Sequence, residues 1–271
     1  MHAFDWPYAL VRERARQIYQ AGYKSVLISP PNKSLISETG TDWWQRYQPQ
    51  DYRVIDNQLG NTTDFKSMIK ALSAMNINVY ADVVLNHMAN ESSIRNDLQY
   101  PSKNDMIQYR EQMNYYQEQL LYGDLRRPLF DDRDFEDAFR IEDGDWHDIW
   151  RVQHGRITGG QEDPGLPTLR VHEHVIEQQR AYLKALKSLG VRGFRIDAAK
   201  HMTLKHIQEV WNKEICQDVH VFGEIITYGG AGTPEYDLFL QPFLMETRLG
   251  AYDFPLFHTL YNALDTRGSL K

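Results

Sequence analysis

Two carboxylates carry the strongest chemical suggestion in the chain. Asp197 ends the run Gly193-Phe-Arg-Ile-Asp197, and Glu224 follows Val219-His-Val-Phe-Gly223, so each stands just after a short apolar stretch of the kind that forms a buried strand. On adjacent parallel strands two such groups can come within ~5 Å of each other. At that separation one can attack an anomeric carbon while the other protonates the departing oxygen. Arg195 lies two residues before Asp197 and shares its side of the strand, where a guanidinium would keep Asp197 ionised as a nucleophile requires. A third run, Asp82-Val-Val-Leu-Asn86-His87, adds a histidine at another strand end. Taken alone, Asp197 reads as a surface carboxylate paired to Arg195, and His87 as a structural histidine. Three polar strand ends in one fold make the catalytic reading the better one.

The elements that must position these groups alternate regularly. An amphipathic helix over 8–21 stops at Gly22, and the apolar strand Ser25–Ile28 closes in Ser29-Pro-Pro-Asn32. Asp64 is expected to cap a helix carrying Phe65, Met68, Ile69, Leu72 and Met75 on one face, followed by a strand over 78–85. Helices over 175–189 and 204–215 alternate with strands over 193–196 and 219–222; a sixth strand is expected near 244–247 and a last helix over 254–264. With a short first strand at 1–4, this is the pattern of a parallel α/β fold. Residues 88 to 168 break it: they are polar and irregular, with an acidic tract from Asp131 to Asp137. A loop of that length without structure is improbable, so it reads as a small inserted domain following strand three. The expected organisation is a (β/α)8 TIM barrel portion from residues 1–87 and 169–271, interrupted by an inserted domain at 88–168. The about 190 residues outside the insert make about six units of a barrel that needs ~250 for eight, so the barrel is read as incomplete.

Composition narrows the partners. Thirty Lys and Arg stand against 37 Asp and Glu, giving a net charge of -7, with no extended basic cluster, so no nucleic-acid partner is expected. No apolar run nears the ~18 residues of a membrane helix, and residues 1–7 lack the basic and apolar regions of a signal peptide. One cysteine, Cys216, excludes an internal disulfide or a Cys-rich zinc site. Aromatic residues reach 12%, and Trp43-Trp44-Gln-Arg-Tyr47-Gln48 gathers three of them after strand two. Such rings suit the apolar faces of sugars, although core packing is their commoner use.

The segments Asp82 to His87, Gly193 to His201 and Phe222-Gly-Glu224, in that order, resemble the ordered sequence regions of the α-amylase family of glycoside hydrolases. The aromatic loop and Ser29-Pro-Pro-Asn32 resemble more narrowly its animal-type members and their bacterial relatives. The resemblance implies retaining hydrolysis of internal α-1,4 bonds of starch and maltooligosaccharides by a monomer. It implies Asp197 as nucleophile, Glu224 as acid/base and Arg195 as the arginine beside the nucleophile. His87 would bind hydroxyls of the sugar being cleaved and Tyr47 would stack beneath it. Trp43, Trp44 and Gln48 would form neighbouring subsites, with Lys200 and His201 on the leaving-group side. Transglycosylases and oligoglucosidases of the family share these regions; outside them, the alternative is a non-catalytic carbohydrate-binding or scaffold protein on the same barrel. Family members are usually secreted, so localisation is left open.

Two departures stand out. The family binds a structural calcium between barrel and insert, which would here use the Asn86 side chain, the His201 carbonyl and an Asp from the insert. Thr168 occupies the Asp position in Leu166-Pro-Thr-Leu169, so calcium is expected to be held weakly unless Glu162 or Asp163 supplies the carboxylate. The family's third catalytic carboxylate, from strand seven, has no match after Glu224; Asp237, Asp253 and Asp265 read as caps or solvated groups.

Overall fold

The computed structural model describes residues 1–36 and 41–265. Its centre is a six-stranded parallel sheet in sequential order: β1 (His2–Ala3), β2 (Ser25–Ile28), β3 (Asn78–Val84), β4 (Val191–Asp197), β5 (His220–Gly223) and β6 (Gly250–Ala251). Helices α1 (Tyr8–Gln20), α2 (Thr62–Ser73) and α3 (Glu173–Leu189) connect the first four strands. The order and direction are those of a (β/α)8 TIM barrel carrying six of its strands, with β1 and β6 at the ends of the sheet. None of the described helices is long and apolar enough to cross a membrane.

Burial on both faces explains the continuous apolar strands. Val79, Ala81, Val83 and Val84 of β3 and Phe194 and Ile196 of β4 are all in the core, as parallel strands covered by helices require. β3 and β4 approach closely because Gly193 lies opposite Tyr80: a Cβ there would meet the ring at 2.6 Å. Gly190, at φ 115° in the left-handed region, ends α3 and turns the chain into β4.

Three expectations change. Helix α2 starts earlier than Asp64: Asn61 is the cap, and Asp64 is the reciprocal partner that bonds back to the Asn61 amide. The helix expected over 204–215 is two, α4 (Leu204–Val210) and α5 (Lys213–Cys216), because the Asn212 side chain caps the second from outside. The sixth strand is not at 244–247. Those residues belong largely to helix α6 (Gln241–Glu246), started by Pro242 in its first turn, and the strand follows as the two-residue β6. The last helix, α7 (Phe254–Leu264), has its expected bounds, and Asp253 caps it.

Between β3 and α3 the chain leaves the sheet and forms three short helices, Lys103–Glu111, Met113–Gln119 and Ile149–His154. Tyr109, Tyr116 and Leu125 pack with Val54 in a small cluster of their own, while Tyr100, Phe130, Phe135 and Leu169 join the main core. Buried Arg53 fastens this segment: it pairs with Asp51 and donates through Nη1 to the carbonyls of Asp124 (2.5 Å) and Arg127 (2.9 Å).

Candidate active site

Parallel register brings the polar strand ends to one side of the sheet. Asp82 lies across from Arg195 and Val84 across from Asp197, while Ile196 faces Gly223, the residue before Glu224. The backbone of Ala198, directly after Asp197, sits at φ 49°, in the left-handed region that a residue with a Cβ seldom adopts. In that conformation its amide donates to Glu224 Oε2 at 3.3 Å. Strain is thus spent where the two carboxylates meet.

One guanidinium organises three acids. Arg195 Nη1 donates to both oxygens of Asp82, at 2.8 and 2.6 Å, and to Asp197 Oδ1 at 2.9 Å; its Nη2 pairs with Glu224 Oε1. Burial alone would lower the Arg195 pKa, but the charges of Asp82, Asp197 and Glu224 outweigh it and raise it, so the cation is permanent. The expectation that Arg195 holds Asp197 ionised needs amending. Burial, then the charge of Asp82, push the Asp197 carboxyl well up, and Arg195 only opposes them because its charge is divided. Burial likewise pushes Asp82 up to about 6 against the pull of Arg195. Asp82 and Asp197, which share one cation, thus hold protons to a higher pH than isolated acids would.

The ten residues expected to act on substrate or to bind it all line one cleft of about 810 Å³. Trp43 and Trp44 are 53% and 39% exposed, which sets aside core packing for both. Tyr47 is half-buried against Phe4 and Trp43, and its hydroxyl donates to Asp82 Oδ2 at 3.0 Å. Gln48 Oε1 accepts from the amide of Asn90, tying the aromatic loop to the segment after β3. His87 is buried, and burial pushes its pKa down to about 4. The neutral ring donates from Nε2 to the Tyr47 carbonyl (3.0 Å) and accepts at Nδ1 from Asn86 Nδ2 (3.3 Å), so both nitrogens already have partners. Burial pushes His201 down to about 4 as well, and its Nδ1 donates to the Val152 carbonyl. Lys200 pairs with Glu235 at 3.2 Å and lies over the rings of Trp146 and Phe239.

Sequence reasoning gave no role to several residues of this cleft. Asp82 was visible in its motif, and the period of two puts it on the Asn86 side of β3, but its partner Arg195 appears only once β3 and β4 are in register. Phe4 and Tyr252 come from β1 and β6 ends with no motif around them, and Ile157, Thr158 and Leu166 arrive from the segment between β3 and α3.

A calcium of the family type does not fit the donors present. Asn86 is buried with its amide nitrogen on His87, and the Thr168 hydroxyl, at the position of the family carboxylate, donates to the Gly155 carbonyl at 2.8 Å. Asp163 cannot replace the missing acid where it stands: Oδ2 accepts from Asn90, and Oδ1 from Ser92 and the Gly165 amide. Glu162 is exposed. The oxygens at the junction are therefore neutral, and calcium affinity is tuned by ligand charge.

Comparison with known proteins agrees with the residue-level resemblance. A family model described as "Alpha amylase, catalytic domain" matches residues 11–236. The α-amylase of Aeromonas hydrophila is 51% identical over 270 residues, covering all of this chain and 57% of the relative. That of Streptomyces violaceus is 34% identical over 231 residues, covering 84% of this chain and 35% of the relative. Among solved structures, a mutant of α-amylase I from Eisenia fetida in complex with maltohexaose superposes with a TM-score of 0.76 at 22% identity, covering 99% of this chain and 51% of that one. At that identity the superposition speaks for the fold. The chain spans between about a third and somewhat over half of the length of these proteins.

Proposed function

Because the chain belongs to the α-amylase catalytic-domain family, we propose that it serves the retaining hydrolysis of internal α-1,4-glucosidic bonds in starch and maltooligosaccharides. Residues 1–87 and 169–271 are read as the catalytic barrel portion and 88–168 as the inserted domain. The observation that carries the reading is the single Arg195 guanidinium in contact with both Asp197 and Glu224. Two carboxylates bridged by one planar fork are gathered at one end of the sheet, an arrangement that suits the ~5 Å spacing of a retaining pair.

In the proposed cycle Glu224 enters as the acid and Asp197 as the carboxylate nucleophile. Asp197 attacks C1 of the sugar, the C1–O bond breaks, and the Glu224 proton passes to the departing oxygen. The sugar is left bonded through C1 to Asp197. Glu224, now a carboxylate, takes a proton from water as that oxygen attacks C1, and Asp197 leaves with its electron pair. Two inversions at C1 give net retention. Arg195 stays charged throughout and steadies Asp197 when it departs as a carboxylate. Tyr47, fixed by Asp82, and Trp44 offer ring faces to the sugars, while Lys200 and His201 mark the leaving-group side.

The test is a pair of variants of the intact protein. Asp197→Asn should lower starch cleavage by on the order of 10⁴-fold or more with the fold retained, because it removes the covalent route. Glu224→Gln should lose starch cleavage yet still react with α-glycosyl fluorides, whose leaving group needs no proton, as far as the glycosyl-enzyme, because the base that activates water is lost with it. Starch hydrolysis at the original rate by either variant would overturn the assignment, and retention of maltooligosaccharide binding without any turnover in the unaltered protein would favour the non-catalytic alternative.

A further inference from the structure

The misfit between the junction and a calcium ion has a positive counterpart. Where the chain leaves β3 and where it returns before α3, two segments run together: the Leu169 amide donates to the Asn86 carbonyl at 2.9 Å and the Met88 amide to the Pro167 carbonyl at 3.1 Å, with His87 and Thr168 facing each other. A third segment is tied in at two points. The Thr168 hydroxyl donates to the Gly155 carbonyl at 2.8 Å, just past the helix Ile149–His154, and His201 Nδ1 donates to the carbonyl of Val152 within that helix at 3.0 Å. Thr168 is 2% exposed, so its hydroxyl has no water to exchange for that carbonyl.

These contacts do what a bound cation does at such a junction: they gather backbone carbonyls of the intervening segment against its return at Thr168, which pairs with His87 beyond β3, and against His201 beyond β4. The difference lies in the donors. A cation draws in oxygens and needs carboxylates to neutralise it, whereas hydroxyl and imidazole N–H groups satisfy the carbonyls directly and leave no charge to compensate. We infer that the Thr168–Gly155 and His201–Val152 hydrogen bonds take the place of a structural calcium, so that the segment between β3 and α3 is fastened to the barrel without a metal. This fastening holds Ile157, Thr158 and Leu166 over the cleft. The inference is independent of the roles given to Asp197 and Glu224, since it is read from metal content and melting.

The experiment uses the intact purified protein, dialysed against EGTA, with bound calcium measured by atomic emission and unfolding followed by calorimetry. The expected result is well under one calcium per chain and a melting temperature that moves by less than about 1 °C on chelation or on addition of millimolar calcium. Thr168→Val, which keeps the shape and removes the hydroxyl, should lower the melting temperature by several degrees, with no recovery in calcium. One tightly held calcium per chain after dialysis, a fall of several degrees in EGTA, or calcium rescue of Thr168→Val would overturn the inference. An unchanged melting temperature in Thr168→Val would overturn the role given to its hydroxyl. Should the variant fail to fold, the metal content and chelator response of the unaltered protein decide the matter alone.

Discussion

Asp82 sets burial against ion pairing in a way that can be measured. Its carboxylate is fully buried, receives two hydrogen bonds from Arg195 and one from Tyr47, and yet is pushed up to about 6 from 3.8. The folded chain therefore binds the Asp82 proton more tightly than the unfolded chain does. The associated stability is complete below about pH 4 and is lost as the pH rises through about 6. A rise of roughly two units corresponds to about 3 kcal/mol. In Asp82→Asn the side chain is neutral at every pH; its Oδ1 can accept from Arg195 while Nδ2 turns to the Tyr47 oxygen, so the network survives. Urea unfolding of the intact protein and of Asp82→Asn, followed by tryptophan fluorescence at intervals from pH 4 to pH 7.5, reads this group together with Asp197, which its charge helps push up, while titrations outside the cluster cancel in the difference. The variant should gain on the unaltered protein by about 3 kcal/mol across that range. A flat difference, or a variant that loses ground as pH rises, would show that Arg195 wins over burial and that the proton inventory of the site has been misassigned.

Other expectations follow from the same contacts. Trp44→Ala should weaken maltooligosaccharide binding by several-fold in calorimetric titration, with little change in melting because the ring is 39% exposed; a loss of ~3 kcal/mol or more of stability would mark it as packing. Gly193→Ala should destabilise by about 1–3 kcal/mol in the same unfolding assay, since the new methyl meets the Tyr80 ring at 2.6 Å, and a neutral result would mean that β3 and β4 can separate freely. With β1 and β6 at the ends of the sheet and α7 exposing Leu256, Phe257, Leu260 and Leu264, a chain of residues 1–271 should self-associate on size-exclusion columns, and a monodisperse monomer would refute this.

What could be read in the sequence follows the range of the forces involved. Strands buried on both faces announce themselves as apolar runs, so β2 was bounded to the residue and β3, β4 and β5 to within a few. The residues that line the cleft were legible because strand ends with their polar residues are local motifs. Two-residue β6 has no pattern to detect, and Leu244 and Met245 drew the expected strand into what Pro242 makes a helix. The break between α4 and α5 was signalled by Asn212, but the apolar residues around it, Val210, Trp211 and Ile215, run on as one helical face. Asp82 and the divided charge of Arg195 depend on pairing between strands more than a hundred residues apart, which no local pattern contains. The Thr168 departure was visible, whereas the carbonyl that its hydroxyl meets was not.

The central claim, that Asp197 forms a bond to the sugar while Glu224 moves the proton, is tested most directly by trapping. Glu224→Gln in the intact protein, exposed to an activated α-maltosyl fluoride, should form the glycosyl bond without acid help and then stall, because the base that activates water is gone. Proteolysis and mass spectrometry should find the maltosyl mass on the peptide containing Asp197. Label on the peptide containing Asp82, or steady turnover with no label at all, would contradict the account.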